Sequence, residues 1–122
     1  MSTKSDFQPV FDKLKPILQQ FESKLIVVHD TNDHYYLDTP VILKNKRRCC
    51  FGMIRTGKNY VSFHLMPIYT CPDLLKEVSP ELRNRMQGKA CFNFNSVDEK
   101  LFKELDTITK KGFVQFRPER FA

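Results

Sequence analysis

The sequence predicts an α+β domain of two layers, in which an antiparallel sheet of about five strands carries an N-terminal and a C-terminal helix on one face. Two observations predict this arrangement. Apolar residues recur every three or four positions near both ends of the chain, which is the period of an amphipathic helix. Between these ends, short β-branched and aromatic runs alternate with turn residues, and strands joined by tight turns must be antiparallel.

The first helix is predicted over residues 6–22, with Ser5 as its N-cap and Gln8 completing a capping box. Pro16 is expected to kink this helix or to end it. The apolar stripe of the helix consists of Phe7, Val10, Phe11, Leu14, Ile17, Leu18 and Phe21.

The last helix is predicted over residues 97–111. Ser96 is its predicted N-cap, Glu99 completes a second capping box, and Gly112 is expected to stop the helix. Its apolar stripe consists of Val97, Leu101, Phe102, Leu105 and Ile108.

The strands are predicted to begin with a hairpin. Residues 25–29 and 34–37 have strand composition, and the turn-forming residues 30–33 lie between them. Pro40 either separates the second strand from the run at 41–43 or places both on an edge of the sheet.

The clearest hairpin pairs residues 49–55 with residues 60–68 through a tight turn at 56–59. Because side chains alternate along a strand, residues 60–68 divide into two faces. The more apolar face is expected to meet the helices, whereas the polar face is expected to be at least partly accessible to solvent. The apolar face carries Val61, Phe63 and Leu65, and the polar face carries Tyr60, Ser62, His64 and Met66.

Short elements are predicted after this hairpin. Residues 72–78 indicate a short helix, and Ser79 caps a second helix that has Pro80 at its first position and ends at Gly88. Residues 91–94 then indicate a further strand.

Size and composition are those of one globular domain, which we expect to span residues 1–122. Hydrophobic residues make up 41% of the chain and charged residues 28%, which argues against disorder. The 20 Lys and Arg against 14 Asp and Glu give a net charge of +6, which we interpret mainly as a contribution to solubility.

The first candidate site is a ligand or peptide groove on the polar face of the 60–68 strand. Lys89 and Asn93 are grouped with this face, and the alternative is a half-buried sheet face on which a neighbouring residue satisfies His64. The predicted ligand-binding residues are Tyr60, Ser62, His64, Met66, Lys89 and Asn93.

A second candidate is a metal site in the first hairpin. His29 and His34 could face each other across it, and two imidazoles with a carboxylate suit Zn²⁺ or Fe²⁺. The alternative is ordinary turn composition. The carboxylates available are Asp30, Asp33 and Asp38.

A third candidate is the basic turn, which could grip phosphates while nearby tyrosines stack on bases. The alternative is a solvated turn that protects an edge strand from pairing. The turn contains Lys44, Lys46, Arg47 and Arg48, and the tyrosines are Tyr35 and Tyr36.

The cysteines point to a reducing compartment. No two of them are separated by the two residues that zinc sites and redox motifs need, and the N-terminus shows no secretory signal. We therefore expect reduced, metal-free thiols in a cytoplasmic protein, with no catalytic role. The cysteines are Cys49, Cys50, Cys71 and Cys91.

Several runs taken together resemble the YdhG-like family of small bacterial domains of unknown function, and the likeness covers most of the chain. It implies a two-layer fold like that of secretion chaperones and no reaction, although some members are labelled frataxin-like iron chaperones. The runs that carry it are His34-Tyr35-Tyr36-Leu37-Asp38, Phe51-Gly52, 60–69, Ser79-Pro80-Glu81-Leu82, Met86-Gln87-Gly88-Lys89, Cys91-Phe92-Asn93-Phe94 and Leu101-Phe102-Lys103-Glu104-Leu105.

The function expected from these observations is non-enzymatic binding of a small molecule or a protein partner, without a cofactor. The sequence contains no Gly-rich phosphate loop and no nucleophile elbow, and no stretch brings together a base, a nucleophile and an oxyanion site. An iron or other metal chaperone using the His29/His34 hairpin is the first alternative, and an accessory nucleic-acid-binding module is the second. No apolar run approaches the roughly 18 residues that span a bilayer, and a homodimer is left open.

Overall fold

The computed structural model describes residues 7–88 and 90–121. It confirms the α+β class, with a single antiparallel sheet of six strands in the order β1-β2-β3-β4-β6-β5. The strands are β1 (Ile26–Asp30), β2 (His34–Ile42), β3 (Arg48–Thr56), β4 (Val61–Leu65), β5 (Met86–Gln87) and β6 (Cys91–Phe94). The helices are α1 (Gln8–Gln19), α2 (Met66–Thr70), α3 (Pro80–Arg83) and α4 (Glu99–Gln115), with 3₁₀ turns at Glu22–Lys24, Pro72–Glu77 and Pro118–Phe121.

Both terminal helices are confirmed, but α1 differs in its details. The predicted N-cap Ser5 lies outside the described residues, and Phe7 occupies the cap position without a side-chain cap hydrogen bond. Pro16 lies inside the helix and does not end it. Pro16 and Asp12 are both exposed, so the carbonyl that loses its N–H partner to the proline can be hydrated.

The ends of α4 differ from the prediction. Asp98, not Ser96, caps the helix, because its carboxylate accepts the N–H of Leu101 at 3.1 Å. Gly112 does not stop the helix, which continues to Gln115. A Cβ at Gly112 would lie 2.9 Å from Cβ of Pro67, so this glycine permits the close approach of α2.

The two predicted hairpins are confirmed as β1–β2 and β3–β4. Strand β4 ends at Leu65 instead of continuing to residue 68, because Pro67 fixes the backbone for the first turn of α2. Strand β2 runs through Pro40, which lies beyond the part of β2 that pairs with β1.

The sheet has one strand more than predicted. Ser79 caps α3 as expected, but the helix ends at Arg83 and Gly88 plays no part in its end. Met86 and Gln87 instead pair with β6, and Gly88 turns the chain between the two strands at φ +80°.

The core lies between the helices and one face of the sheet. Leu18 of α1 lies over Gly52 of β3, where a Cβ would approach the leucine side chain to 2.8 Å. The strand residues of this covered face are fully or almost fully buried; they include Tyr35, Leu37, Phe51, Ile54, Val61, Phe63, Leu65, Phe92 and Phe94.

Candidate ligand-binding site on the open face of the sheet

The other face of the sheet, here called the open face, consists of two rows of side chains that cross four strands. Strand pairing places the residues of each row side by side, and residues two apart on a strand lie on the same face. Arg55 is exposed and the other seven are half-buried, whereas the residues between them are buried. One row is Tyr36, Met53, His64 and Cys91, and the other is His34, Arg55, Ser62 and Asn93.

The side of the open face near β5 is held by hydrogen bonds between side chains. Ser62 Oγ donates to Asn93 Oδ1 at 2.8 Å, and Asn93 Nδ2 donates to Gln87 Oε1 at 2.6 Å. These bonds satisfy polar groups without a ligand and fix the position of the Ser62 hydroxyl.

His64 and Cys91 form a neutral pair. His64 Nδ1 lies 3.2 Å from Cys91 Sγ. Burial lowers the pKa of His64 and raises the pKa of Cys91, so both groups favour their uncharged forms. The pair is therefore a hydrogen bond between a thiol and an imidazole, and it does not supply the thiolate that nucleophilic catalysis needs.

A pocket of about 360 Å³ opens where the β3–β4 turn meets the open face. The turn is closed by the N–H of Gly57, which donates to the carbonyl of Tyr60 at 2.9 Å. None of the described residues lining the pocket is acidic, and neither of its two cations forms an ion pair within the described chain. The lining residues are Met53, Arg55, Gly57, Lys58, Asn59, Tyr60, Ser62 and Cys91.

The structure brings four of the six predicted ligand-binding residues to this region. Tyr60 and Ser62 line the pocket, Asn93 is bonded to Ser62, and His64 contacts the pocket residue Cys91. The prediction for Met66 is wrong in its placement, because Met66 begins α2 and packs against the core. Lys89 lies outside the described residues.

Sequence reasoning missed the two cations of the pocket. Arg55 lies on β3, directly opposite Ser62, and Lys58 lies in the turn. The signal was present in the tight turn, since a turn at 57–60 pairs Thr56 with Val61 and therefore Arg55 with Ser62.

A cluster of aromatic rings lies at the same end of the sheet. The N–H of Thr56 donates to the carbonyl of Asp33 at 2.9 Å, which ties the β1–β2 turn to the end of β3. The imidazoles of His29 and His34 stack with their centres 4.6 Å apart. Tyr36 meets both rings edge-on at 6.1 and 6.0 Å.

Two of the three carboxylates of the predicted metal hairpin are engaged by other side chains. Asp30 accepts a hydrogen bond from Lys15 of α1 at 2.7 Å, and Asp38 pairs with Arg48 at 3.3 Å. Across residues 7–88 and 90–121, no group of three or more His, Cys, Asp or Glu side chains is arranged to hold a metal ion. Burial is the largest cause that lowers the pKa of His34, followed by the charges of His29 and Arg55. The charge of Asp33 acts on the pKa of His34 in the opposite direction.

The basic turn lies away from the tyrosines with which it was grouped. It joins β2 to β3, and Tyr36 lies six residues back along β2, which is about 20 Å in a strand. Tyr35 is fully buried on the covered face, where its hydroxyl donates to Glu22 at 2.5 Å. The expected grouping of basic and aromatic residues is therefore wrong, because the tyrosines lie at the other end of the strand.

The four cysteines are free thiols, and burial opposes ionisation at three of them. Cys49 is buried on the covered side, whereas Cys50 faces Asp38 across the β2–β3 ladder. Burial raises the pKa of Cys50 to about 12. Burial therefore keeps these three thiols in their neutral form, which is not the form that attacks an electrophile.

No family model, curated protein or solved structure matches this chain. Within the described part of the chain, no helix is both long enough and apolar enough to cross a bilayer. The case for a site therefore depends on the geometry of the open face.

Proposed function

We propose that the protein is a non-enzymatic binding domain and that the pocket at the end of the open face holds a small anionic ligand. The observation that carries this proposal is the pair of cations, Arg55 and Lys58, at a pocket with no acidic lining residue among those described. The volume of about 360 Å³ is in the range of small-ligand sites.

The polar groups of the pocket complement an anion. A guanidinium can hold a carboxylate or phosphate with two hydrogen bonds, and Lys58 adds a point charge. Tyr60 contributes a hydroxyl group at the same pocket, whereas the Ser62 hydroxyl already donates to Asn93. Because Arg55 and Lys58 have no ion-pair partner in the described chain, a ligand would not have to displace one.

The state of the neighbouring groups supports binding over catalysis. His64 and Cys91 both favour their neutral forms, so neither is prepared to act as a charged nucleophile or acid. The proposal includes a cytoplasmic location, which the four free thiols support. It also includes the resemblance to the YdhG-like family, which the antiparallel sheet covered by helices on one face supports.

The test is a titration with inorganic phosphate and with citrate at low ionic strength, followed by backbone NMR. The shifts are expected to concentrate at residues 53–62 and 91–93. In the double variant Arg55→Gln, Lys58→Gln the affinity should fall at least about 10-fold, since each charged hydrogen bond contributes about 1.5–3 kcal/mol.

The matched control is Lys44→Gln, Lys46→Gln, which removes the same charge from the opposite end of the sheet. It is expected to bind both anions as the unmodified protein does. Equal losses in the two double variants would show that only net charge attracts the anion, and the pocket would then be rejected as the site.

A further inference from the structure

The rings of His29, His34 and Tyr36, here called the ring cluster, lie outside the hydrophobic core. They project from the open face at the end where the pocket lies. His29 is exposed, and the other two are half-buried. Aromatic and imidazole faces in such positions are surfaces on which a planar ring can stack, which contributes about 1–3 kcal/mol per base in nucleic-acid complexes.

The cluster and the pocket are direct neighbours. His34 lies opposite Arg55 in the β2–β3 ladder, and Arg55 lies opposite Ser62 in the next ladder. Adjacent strands are about 4.8 Å apart, so His34 on β2 lies about that distance from the strand that carries Arg55. One small molecule can therefore touch the rings and the cations at once.

We infer that the anion of this site carries a planar aromatic ring, as a nucleoside monophosphate does. The phosphate lies between Arg55 and Lys58, and the base lies against the ring cluster. This inference rests on the proposed function, because the phosphate site is the pocket described above.

The imidazole pair can open toward such a ligand at low cost. Nε2 of His34 has no hydrogen-bond partner in the described chain, so moving the exposed His29 ring breaks no hydrogen bond at that atom. A base that replaces the His29 ring on His34 keeps the stacking contact.

The charge pattern favours a single nucleotide over a nucleic-acid chain. Beyond Arg55, the two rows of the open face continue with Ser62, Asn93, His64 and Cys91, none of which is cationic in the folded protein. At the far end Arg48 is already paired with Asp38. A second phosphate would therefore find no free cation along these rows.

The experiment compares adenosine monophosphate, adenosine and ribose 5-phosphate by calorimetric or NMR titration at one salt concentration. Adenosine monophosphate is expected to bind about 5- to 140-fold more tightly than ribose 5-phosphate, which is the gain that one stacked base provides. In His29→Ala, His34→Ala that advantage should disappear while the affinity for ribose 5-phosphate stays unchanged. The single variant His29→Ala, at an exposed position, should lose part of the advantage and guards against misfolding of the double variant.

The matched control is Tyr69→Ala, which removes a ring that is 57% exposed on α2 and lies outside the site. It should leave all three affinities unchanged. If adenosine monophosphate and ribose 5-phosphate bind equally, and both weaken in Arg55→Gln, Lys58→Gln, the ring inference is overturned and the anion pocket stands. If none of the phosphates binds, the proposed function itself fails. An oligoadenylate whose affinity keeps rising beyond one nucleotide would overturn the assignment to a mononucleotide.

Discussion

The two faces of the sheet are made from alternate residues of the same strands, yet they differ in what holds their side chains. In β4 the residues Val61, Phe63 and Leu65 are fully buried under the helices, whereas Ser62 and His64 are half-exposed. On the covered face, burial of apolar surface fixes each residue. On the open face, hydrogen bonds between neutral groups hold the side chains, and the pocket cations have no ion-pair partner in the described chain.

This difference separates folding from binding. The covered face can supply the stability of the domain, since each buried apolar side chain contributes about 1.5–3 kcal/mol. The open face is then free to carry groups that contribute little to stability, and Arg55 and Lys58 are such groups.

The largest expected effect contrasts neighbours on opposite faces. Phe63→Ala should lower the free energy of unfolding by about 3–5 kcal/mol, because it leaves a cavity at a fully buried position. His64→Ala should cost only about 1 kcal/mol, since it removes one hydrogen bond at a half-exposed position. Urea denaturation followed by circular dichroism measures both. Similar losses would mean that the open face is buried as deeply as the covered one.

Gly112 of α4, which packs against α2, should not tolerate a methyl group. Gly112→Ala places a Cβ 2.9 Å from Cβ of Pro67, and the overpacking should cost about 1–3 kcal/mol despite the better helix propensity of alanine. Thr107→Ala, at an exposed position of the same helix, should change stability by no more than about 0.5 kcal/mol. A Gly112→Ala protein with a raised melting temperature would contradict the close packing of α2 on α4.

The cap of α4 distinguishes two candidate residues two positions apart. Asp98→Ala should lower stability by about 1 kcal/mol because it removes the acceptor for the N–H of Leu101. Ser96→Ala should remain within about 0.5 kcal/mol of the unmodified protein. The reverse order would restore the cap predicted from sequence.

The smallest expected effect is a dependence of stability on pH that comes from the open face. Burial lowers the pKa of His64 below its ordinary value of 6.5, so the unfolded chain takes up a proton at a pH where the folded protein does not. Stability should therefore fall as the pH drops below about 6.5 and stop falling below the folded-state pKa. His64→Gln should make this slope shallower without abolishing it, because the pKa of His34 is lowered too. An unchanged slope in the variant would rule out His64 as its source.

Periodic patterns predicted the layers of the fold. The apolar stripes gave the two terminal helices, and the alternation of residues 61–65 gave the correct division of β4 into a buried and an accessible face. These features can be predicted from local sequence, because the apolar side of a helix or strand must be buried whichever element it packs against.

The features missed by sequence reasoning depend on contacts between distant residues. The cap of α4 is an exception, since Ser96 and Asp98 are both suitable residue types and the structure places the second at the cap. The two-residue strand at Met86 exists because β6 pairs with it. The need for a glycine at position 112 comes from the contact with Pro67, 45 residues earlier in the chain. The pocket likewise required the register of β3 against β4, which brings Arg55 beside Ser62.

The most direct test of a binding site on the open face uses the methyl groups of three methionines. Met53 lines the pocket, whereas Met66 and Met86 pack against the core. In protein labelled with ¹³C at the methionine methyls, titration with adenosine monophosphate should shift the Met53 signal until it saturates and leave Met66 and Met86 in place. A Met53 signal that stays fixed at saturating ligand, or shifts confined to Met66 and Met86, would contradict a site on the open face.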